Sequence, residues 1–259
     1  MGAALTPSLH ATRTILACAL LAPGFPAQAL VIRHDRPATA YADKARELPS
    51  YCRIQAPDGG GALIAPQWVI TAAHLSPHVR PGHEIRCGGE ALTVDRVVVH
   101  PDYDDAVGRH DLMLLRLRAP ARARPVLSLW RRGGEQGRVV NLIGHWQGGT
   151  GLTGGDDAAP RVLRAATNRV DRADRHWLRL VMDRPGTRGV TELEGVSGAG
   201  DSGAPAYVVE DGRVWLVGVG SRGLDTQRDA VQAGYGDTDL FVRVSRYVRW
   251  IDATLRAGE

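Results

Sequence analysis

The sequence predicts an all-β protein in two halves, with one helix at its C-terminal end. Short runs rich in Val, Ile, Leu and Trp recur along the chain, and most are separated by Gly, Pro, Asp or Asn, as strands joined by turns should be. An Arg- and Pro-rich stretch at 119–125 divides these runs into two groups. We therefore expect one β-rich half over residues 30–122 and another over residues 123–259.

The predicted strands lie in these segments: GALIAPQWVITAA, ALTVDRVVVH, DLMLLRL, RVVNLIG, HWLRLVMD, APAYVV and VWLVGVG. Helical spacing is convincing only near the end of the chain, where Tyr247, Val248, Ile251 and Leu255 recur on one face. Ser245 is a suitable start signal for this helix.

The N-terminal segment is typical of a signal peptide over residues 1–29. Arg13 precedes the apolar run ILACALLA, and Ala27 and Ala29 give the small-x-small pattern of a cleavage site. The run is too short to span a bilayer, so we expect no membrane association after cleavage and a secreted or periplasmic protein. Cys18 lies within the run and not after it, which disfavours a lipid anchor.

The charge pattern gives little support to nucleic-acid binding. The chain has a formal net charge of +4, and its basic residues are scattered among acids instead of forming a stripe. A solvated, Arg-rich surface is the simpler interpretation.

Two cysteines, Cys52 and Cys87, remain once the signal peptide is removed. In an oxidising compartment an even pair predicts one disulfide, with two buried free thiols as the alternative.

Three local segments contain residues suited to nucleophilic catalysis. His74 closes the apolar run WVITAAH, Asp111 opens DLMLLRL, and Ser202 lies in the Gly-rich loop GAGDSGAP. Each alone is ordinary: a structural histidine, a turn acid and a plain turn. Together they supply the nucleophile, the base and the orienting acid that a serine hydroxyl needs in order to react.

In this order the segments resemble the TAAH, D-I/L-A/M-L-L and GDSGGP motifs of the trypsin-like (chymotrypsin-fold) serine proteases. Gly144-His145-Trp146 resembles the GWG turn of that family, and residues 241–251 resemble its terminal strand and helix. The resemblance covers nearly the whole mature chain. It implies two antiparallel six-stranded β-barrels with the active site in the cleft between them, and identifies the chain as a secreted, bacterial-type member.

The resemblance also implies a role for each site residue. Ser202 attacks the scissile carbonyl, His74 transfers the proton, and Asp111 orients the imidazole. The backbone N–H groups of Gly200 and Ser202 form the oxyanion hole. We therefore expect a serine endopeptidase that needs no cofactor, acts on peptides or proteins, and is a monomer.

Asp201, next to the nucleophile, is expected to receive the α-amine of the mature N-terminus. Family zymogens expose an Ile-Val-Gly-Gly start behind a propeptide, whereas here Leu30-Val31-Ile32 directly follows the signal peptide. Leu30 is thus expected to supply the amine without a zymogen stage.

The chain departs from the family at several cysteine positions. Gly59 and Leu75 stand where a disulfide usually clasps the histidine loop, and Gly198 replaces the cysteine before the nucleophile loop. Ala204 replaces a family glycine, a small change expected to be tolerated.

The specificity pocket has two open interpretations. Val196 stands at the pocket base, where trypsin carries an acid, and Asp239 aligns near a second pocket-floor position. If Asp239 faces the pocket, it favours a basic residue at P1, the position just before the cleaved bond. If it is a solvated loop acid, Val196 sets an apolar preference. Ser221-Arg222-Gly223 resembles the strand that pairs with substrate backbone, with Arg222 replacing a tryptophan.

A metal site at His74, His78 and His83 is not expected. Pro77 and Pro81 break any shared helical face, and no cysteine or carboxylate pattern completes a tetrahedral set.

The principal alternative function is a non-catalytic binding module on the same fold, because a fold alone does not secure a function. Such relatives usually lose a triad residue, whereas all three are present here.

Overall fold

The computed structural model describes residues 1–2, 30–46, 48, 50–122, 126–159 and 161–258. The predicted signal peptide, apart from its first two residues, and positions 123–125 of the predicted linker lie outside the described residues.

The described residues form eighteen β-strands and two α-helices, numbered in chain order. Those of the first part of the chain are β1 (Leu30–Ile32), α1 (Ala38–Ala45), β2 (Tyr51–Ile54), β3 (Gly59–Ala65), β4 (Trp68–Thr71), β5 (Glu84–Cys87), β6 (Glu90–Val99) and β7 (Met113–Leu117). Those of the second part are β8 (Ser128–Leu129), β9 (Val139–Gly144), β10 (Gly148–Thr150), β11 (Gly154–Asp156), β12 (Arg164–Arg169), β13 (Arg172–Ala173), β14 (Trp177–Val181), β15 (Gly195–Val196), β16 (Pro205–Glu210), β17 (Arg213–Leu224), β18 (Thr238–Arg243) and α2 (Val248–Ala257). Short 3₁₀ turns cover Ala73–Leu75 and Val244–Arg246.

The first half is a closed barrel of six antiparallel strands in the order β2-β3-β4-β7-β6-β5. Its interior is filled by buried aliphatic side chains such as Ile54, Leu63, Val69 and Leu115. Apolar side chains on one face of each strand close the barrel around a single core, as the sequence pattern predicts.

A disulfide joins Cys52 to Cys87, as predicted, and so excludes the free-thiol alternative. The two cysteines are directly opposite each other in the β2 and β5 pair and are fully buried. The bridge therefore links the two strands at which the barrel closes.

The second half is built on an eight-stranded sheet in the order β12-β9-β16-β17-β18-β14-β13, with β8 pairing beside β17. Strand pairing among the described residues does not close this sheet, so it is a half-barrel. The expected all-β class is confirmed, whereas the expectation of a second six-stranded barrel is corrected to this open form.

The segment after residue 29 belongs with the second half, which corrects the predicted boundary of the first. Strand β1 pairs in parallel with β10 and antiparallel with β15. Helix α1 packs against β12, and its Tyr41 shares a small core with Leu30, Ile32 and Ala166. A three-residue apolar run gives no periodic signal, so the sequence could not indicate which half it would join.

The largest core cluster spans both halves and the terminal helix. It includes Ile70 and Leu114 from the barrel, Leu216 and Val242 from the sheet, and Ile251 from α2. The two halves therefore share this core cluster, in addition to the barrel's own core.

The terminal helix is confirmed, with one correction to its start. Helix α2 begins at Val248, after a 3₁₀ turn, with Tyr247 at the N-cap position. The Ser245 hydroxyl donates to a Glu135 carboxylate oxygen at 2.5 Å and does not cap the helix. Within the described part of the chain, no helix combines the length and apolar character needed to cross a membrane.

Candidate active site

His74 and Asp111 meet at one end of the barrel because strands β4 and β7 are neighbours. Thr71 lies opposite Met113, which places the end of β4 beside the start of β7. His74 lies in the 3₁₀ turn after β4. Its backbone N–H donates to Asp111 Oδ1 at 2.8 Å, and its ring Nδ1 lies 2.8 Å from Asp111 Oδ2.

The Asp111 carboxylate is fully buried and accepts a third hydrogen bond, from the Ser221 hydroxyl at 2.6 Å. Burial alone would raise the pKa of Asp111, but the hydrogen bonds from His74 and Ser221 and the charge of His74 hold it below the usual value. An ionised carboxylate only accepts, so His74 Nδ1 must carry the hydrogen. In the neutral imidazole the other ring nitrogen, Nε2, then has a free lone pair and can accept a proton.

Ser202 lies in a tight loop packed against the end of β4. Gly203 has φ 82, and a Cβ there would lie 2.1 Å from Thr71 Oγ1 and 2.9 Å from the Ala72 nitrogen. Only glycine permits that approach. The loop therefore brings Ser202 to the strand end that His74 follows. Among the described residues no hydrogen bond occupies the Ser202 hydroxyl.

The amides of the nucleophile loop fall into two sets. The N–H groups of Asp201, Gly203 and Ala204 donate to protein carbonyl groups. Those of Gly200 and Ser202 have no hydrogen-bond partner within the described parts of the chain. Gly200 has φ 89, and a Cβ there would lie 2.6 Å from Trp146 Cβ, so this backbone conformation also requires glycine.

Asp201 is fully buried behind this loop. Its carboxylate accepts backbone N–H groups from His145 at 2.8 Å, Trp146 at 3.2 Å and Gly198 at 3.1 Å. Burial raises the pKa of Asp201 to about 7, although these hydrogen bonds act to lower it. The charge of the neighbouring Asp239 also raises it. No cation among the described residues pairs with it.

A cavity of about 400 Å³ opens beside Ser202 and contains both predicted specificity residues, Val196 and Asp239, in its wall. Asp239 is only 4% exposed, and its Oδ2 accepts the Ser197 N–H at 2.8 Å. Burial raises the pKa of Asp239 to about 6. This placement differs from that of a solvated loop acid.

Residues Ser221, Arg222 and Gly223 lie on β17 along the same cavity. Strand β16 pairs with β17 only as far as Val219, while β18 covers the other side through Leu224. Gly220 still bonds to the Ser202 loop, through the Gly203 N–H and the Ala204 carbonyl. Among the described residues the free strand edge therefore begins at Ser221, and an extended peptide could add to it by backbone hydrogen bonds.

The sequence did not reveal that Ser221 holds Asp111. That hydrogen bond joins residues 110 positions apart and depends on how the two halves dock. The only hint in the sequence was Ser221 itself, which belongs to the segment predicted to pair with the substrate. Likewise, no local pattern indicates that His110, just before Asp111, has the left-handed φ of 57°.

Among the described residues, His74, His78 and His83 do not form a cluster of potential metal ligands. The group that does occur comprises His100, Asp102 and His110, whose ligand atoms lie within 4.8 Å of one another. The two rings stack at 5.1 Å and 16°, and both Nδ1 atoms have hydrogen-bond partners, the Asp102 N–H and the Tyr247 hydroxyl. Stacked rings do not converge on one point as zinc ligands do, so the group is explained by aromatic packing.

Comparison with known proteins gives consistent matches. A family model described as Trypsin matches residues 41–251. Kallikrein-15 of Saguinus oedipus is 32% identical over 216 residues, covering 76% of this chain and 81% of the relative. Trypsin-4 of Rattus norvegicus is 26% identical over 205 residues, covering 76% and 79%. These relatives are mammalian and give no support to a bacterial-type member.

Proposed function

Because the chain belongs to the trypsin family and is a serine-type endopeptidase, we propose that it is an exported enzyme that cuts peptide bonds through an acyl-enzyme on Ser202. The observation that carries the proposal is the buried Asp111 carboxylate held against His74 Nδ1 at 2.8 Å, beside the loop of Ser202.

The catalytic steps follow from the proton positions. His74 Nε2 takes the hydroxyl proton as Ser202 Oγ forms a bond to the scissile carbonyl carbon, and Asp111 stabilises the imidazolium. The C–N bond then breaks, and the same proton passes to the leaving amine. Water, activated by His74 in turn, releases the acid product and restores Ser202.

The free N–H groups of Gly200 and Ser202 are proposed to bind the oxygen that becomes negative in these steps. Donors fixed in advance act where charge develops, and losing one typically costs about 10²- to 10³-fold in rate.

Asp201 is proposed to pair with the α-amine of Leu30 after cleavage behind Ala29. Leu30 lies opposite Gly148, two residues from Trp146, whose N–H holds Asp201. A cation there would compensate a carboxylate whose burial is otherwise costly.

Asp239 is proposed to select a basic P1 residue, with Val196 lining the same cavity. A buried carboxylate in the pocket wall gives Arg or Lys a charge-assisted hydrogen bond that a neutral side chain cannot make. The free edge at Ser221, Arg222 and Gly223 is proposed to pair with the substrate backbone.

The predicted signal peptide and the Cys52–Cys87 disulfide support export to an oxidising compartment, where the enzyme acts as a monomer on peptides or proteins. We propose that the protein has two domains. The first is the barrel within residues 51–117, and the second is the half-barrel with its terminal helix.

Fluorophosphonate labelling of the secreted protein tests the mechanism. We expect modification of Ser202 alone among the serines, complete loss of labelling and peptidase activity in Ser202→Ala, and retention of labelling in the control Ser197→Ala, whose side chain lines the same cavity. Labelling undiminished in Ser202→Ala would contradict the assignment, and folded wild-type protein inert to the reagent would favour a binding module.

A further inference from the structure

Arg222 is a cation without an anion at the edge of the proposed active site. It lines the cavity beside Ser202, and its Nε is buried without a hydrogen-bond partner. No carboxylate of the described residues lies within ion-pair distance of its guanidinium. A partly buried charge left in this condition is costly unless a further group pairs with it.

The Arg222 guanidinium packs against the backbone of Gly108, where a larger residue would not fit. A Cβ at Gly108 would lie 1.7 Å from Arg222 Nη2 and 2.1 Å from Cζ, so the side chain rests directly on the backbone of that residue. Gly108 belongs to the loop that leads into Asp111. Arg222 therefore lines the cavity but places its guanidinium against a loop of the first half that does not line it.

The acids nearest in sequence to this contact have other partners. Asp104 pairs with Arg109 at 3.3 Å, and Asp105 accepts the Tyr103 hydroxyl at 2.6 Å. Asp225, which also lines the cavity, accepts the Arg228 N–H at 2.6 Å. The protein thus leaves the guanidinium available to an anion from outside.

We propose that Arg222 forms a second specificity subsite, which accepts an Asp or Glu side chain of the substrate on the N-terminal side of the cleaved bond. The inference rests on the proposed function. In an extended peptide paired with the 221–223 edge, alternate side chains share a face. Because P1 enters the pocket, P2 and P4 point away from it, toward the side where Arg222 lies on Gly108. The acidic residue therefore occupies P2 or P4.

Matched fluorogenic peptides test the subsite. Each pair carries Glu or Gln at P2, P3 or P4, a near-isosteric difference of charge alone, before the P1 residue that the enzyme cleaves fastest. The Glu peptide should exceed its Gln partner about 10-fold in kcat/KM at P2 or P4, the low end of what a charge-assisted hydrogen bond contributes, mainly through KM. The ratio should fall as ionic strength rises, because the pair is partly exposed.

Substitution identifies the residue responsible. Arg222→Gln should reduce the Glu-to-Gln ratio to about 1, and Arg222→Lys should retain part of it, since the charge remains but the planar fork is lost. The ratio is internal to each variant, so a smaller amount of active enzyme does not affect it. Arg213→Gln, an exposed arginine at the other end of the same strand, should keep the wild-type ratio.

The two hypotheses fail in different ways. Equal rates for every Glu and Gln pair, a preference confined to P3, or a preference that persists in Arg222→Gln would each overturn the Arg222 subsite in an enzyme that still cleaves peptides. Absence of all cleavage together with absence of Ser202 labelling would instead overturn the proposed function.

Discussion

Single residues set the charge of the proposed P1 pocket, and Asp239 is the most informative. Burial raises its pKa to about 6, so this carboxyl gains its charge over the pH range in which such an enzyme would be assayed. Val196 in the same wall offers no charge. Selection of a basic P1 residue thus depends on one titrating group.

The kcat/KM ratio between P1 Arg and P1 Ala peptides should fall as the pH drops through about 6, because protonated Asp239 loses the charge that attracts arginine. Taking the ratio cancels any pH dependence that both substrates share. Asp239→Asn should lower kcat/KM for the Arg peptide by a factor that corresponds to roughly 2 to 4 kcal/mol of transition-state stabilisation. The effect on the Ala peptide should be much smaller.

Asp225→Asn is the matched control, an exposed acid in the same cavity, and should leave the ratio near its wild-type value. Equal losses for Arg and Ala peptides in Asp239→Asn would mean that Asp239 acts on the fold and not on P1.

The residues of the proposed triad could be singled out from the sequence because each lies in a local motif. The surroundings of those residues could not be predicted in this way. The Ser221 bond to Asp111 and the contact of Arg222 with Gly108 both join the two halves, and their geometry follows from docking and not from sequence neighbours.

At the scale of elements, the three-residue strand β1 places the proposed new N-terminus. Its three residues lie buried between β10 and β15, and Leu30 has φ 60, a conformation that is costly for a branched side chain. Cleavage before Leu30 removes the preceding peptide group that defines this angle. Release of the strain and formation of the buried ion pair with Asp201 would then act together.

Active enzyme should therefore begin at Leu30, and N-terminal sequencing of active secreted protein checks this. Asp201→Asn, or a chain with one extra Ala before Leu30, should lose roughly 10²-fold in activity, as expected when one partner of a buried ion pair is removed. Both variants should keep the disulfide and the fold. A start well beyond Ile32 would mean a separate activating cleavage.

The long strands were predictable because they are long and apolar, whereas α1 and the short strands of the second half were not. Helix α1 has eight residues, follows Pro37 without a side-chain cap, and buries only Tyr41 and Ala45. Isolated helices of that length are unstable in water, so packing against β12 must stabilise it.

At the scale of the whole molecule, a shared core joins the two halves and the terminal helix, so we expect them to unfold cooperatively. The main core contains side chains from the barrel, the sheet and α2. The proposed site draws His74 and Asp111 from one half and Ser202 and Ser221 from the other. Activity and folded structure should therefore be lost together.

Ile251→Ala in α2 should lower the free energy of unfolding by about 2 to 4 kcal/mol, because a fully buried side chain leaves a cavity in the shared core. Urea unfolding followed by tryptophan fluorescence, alongside residual activity, measures it. Arg256→Ala, exposed on the same helix, should change stability by less than about 0.5 kcal/mol. A loss of stability without a parallel shift in the activity midpoint would argue against a single cooperative core.

The contact between Gly59 and Leu75 has a consequence for how the protein can be produced. A Cβ at Gly59 would lie 2.8 Å from Leu75 Cδ1, so hydrocarbon packing occupies the place where a second bridge would clasp the histidine loop. With Cys18 removed in the predicted signal peptide, Cys52 and Cys87 allow only one connectivity. During oxidative refolding the chain then cannot form a wrongly paired intramolecular disulfide. Recombinant protein should therefore need an oxidant but no disulfide isomerase.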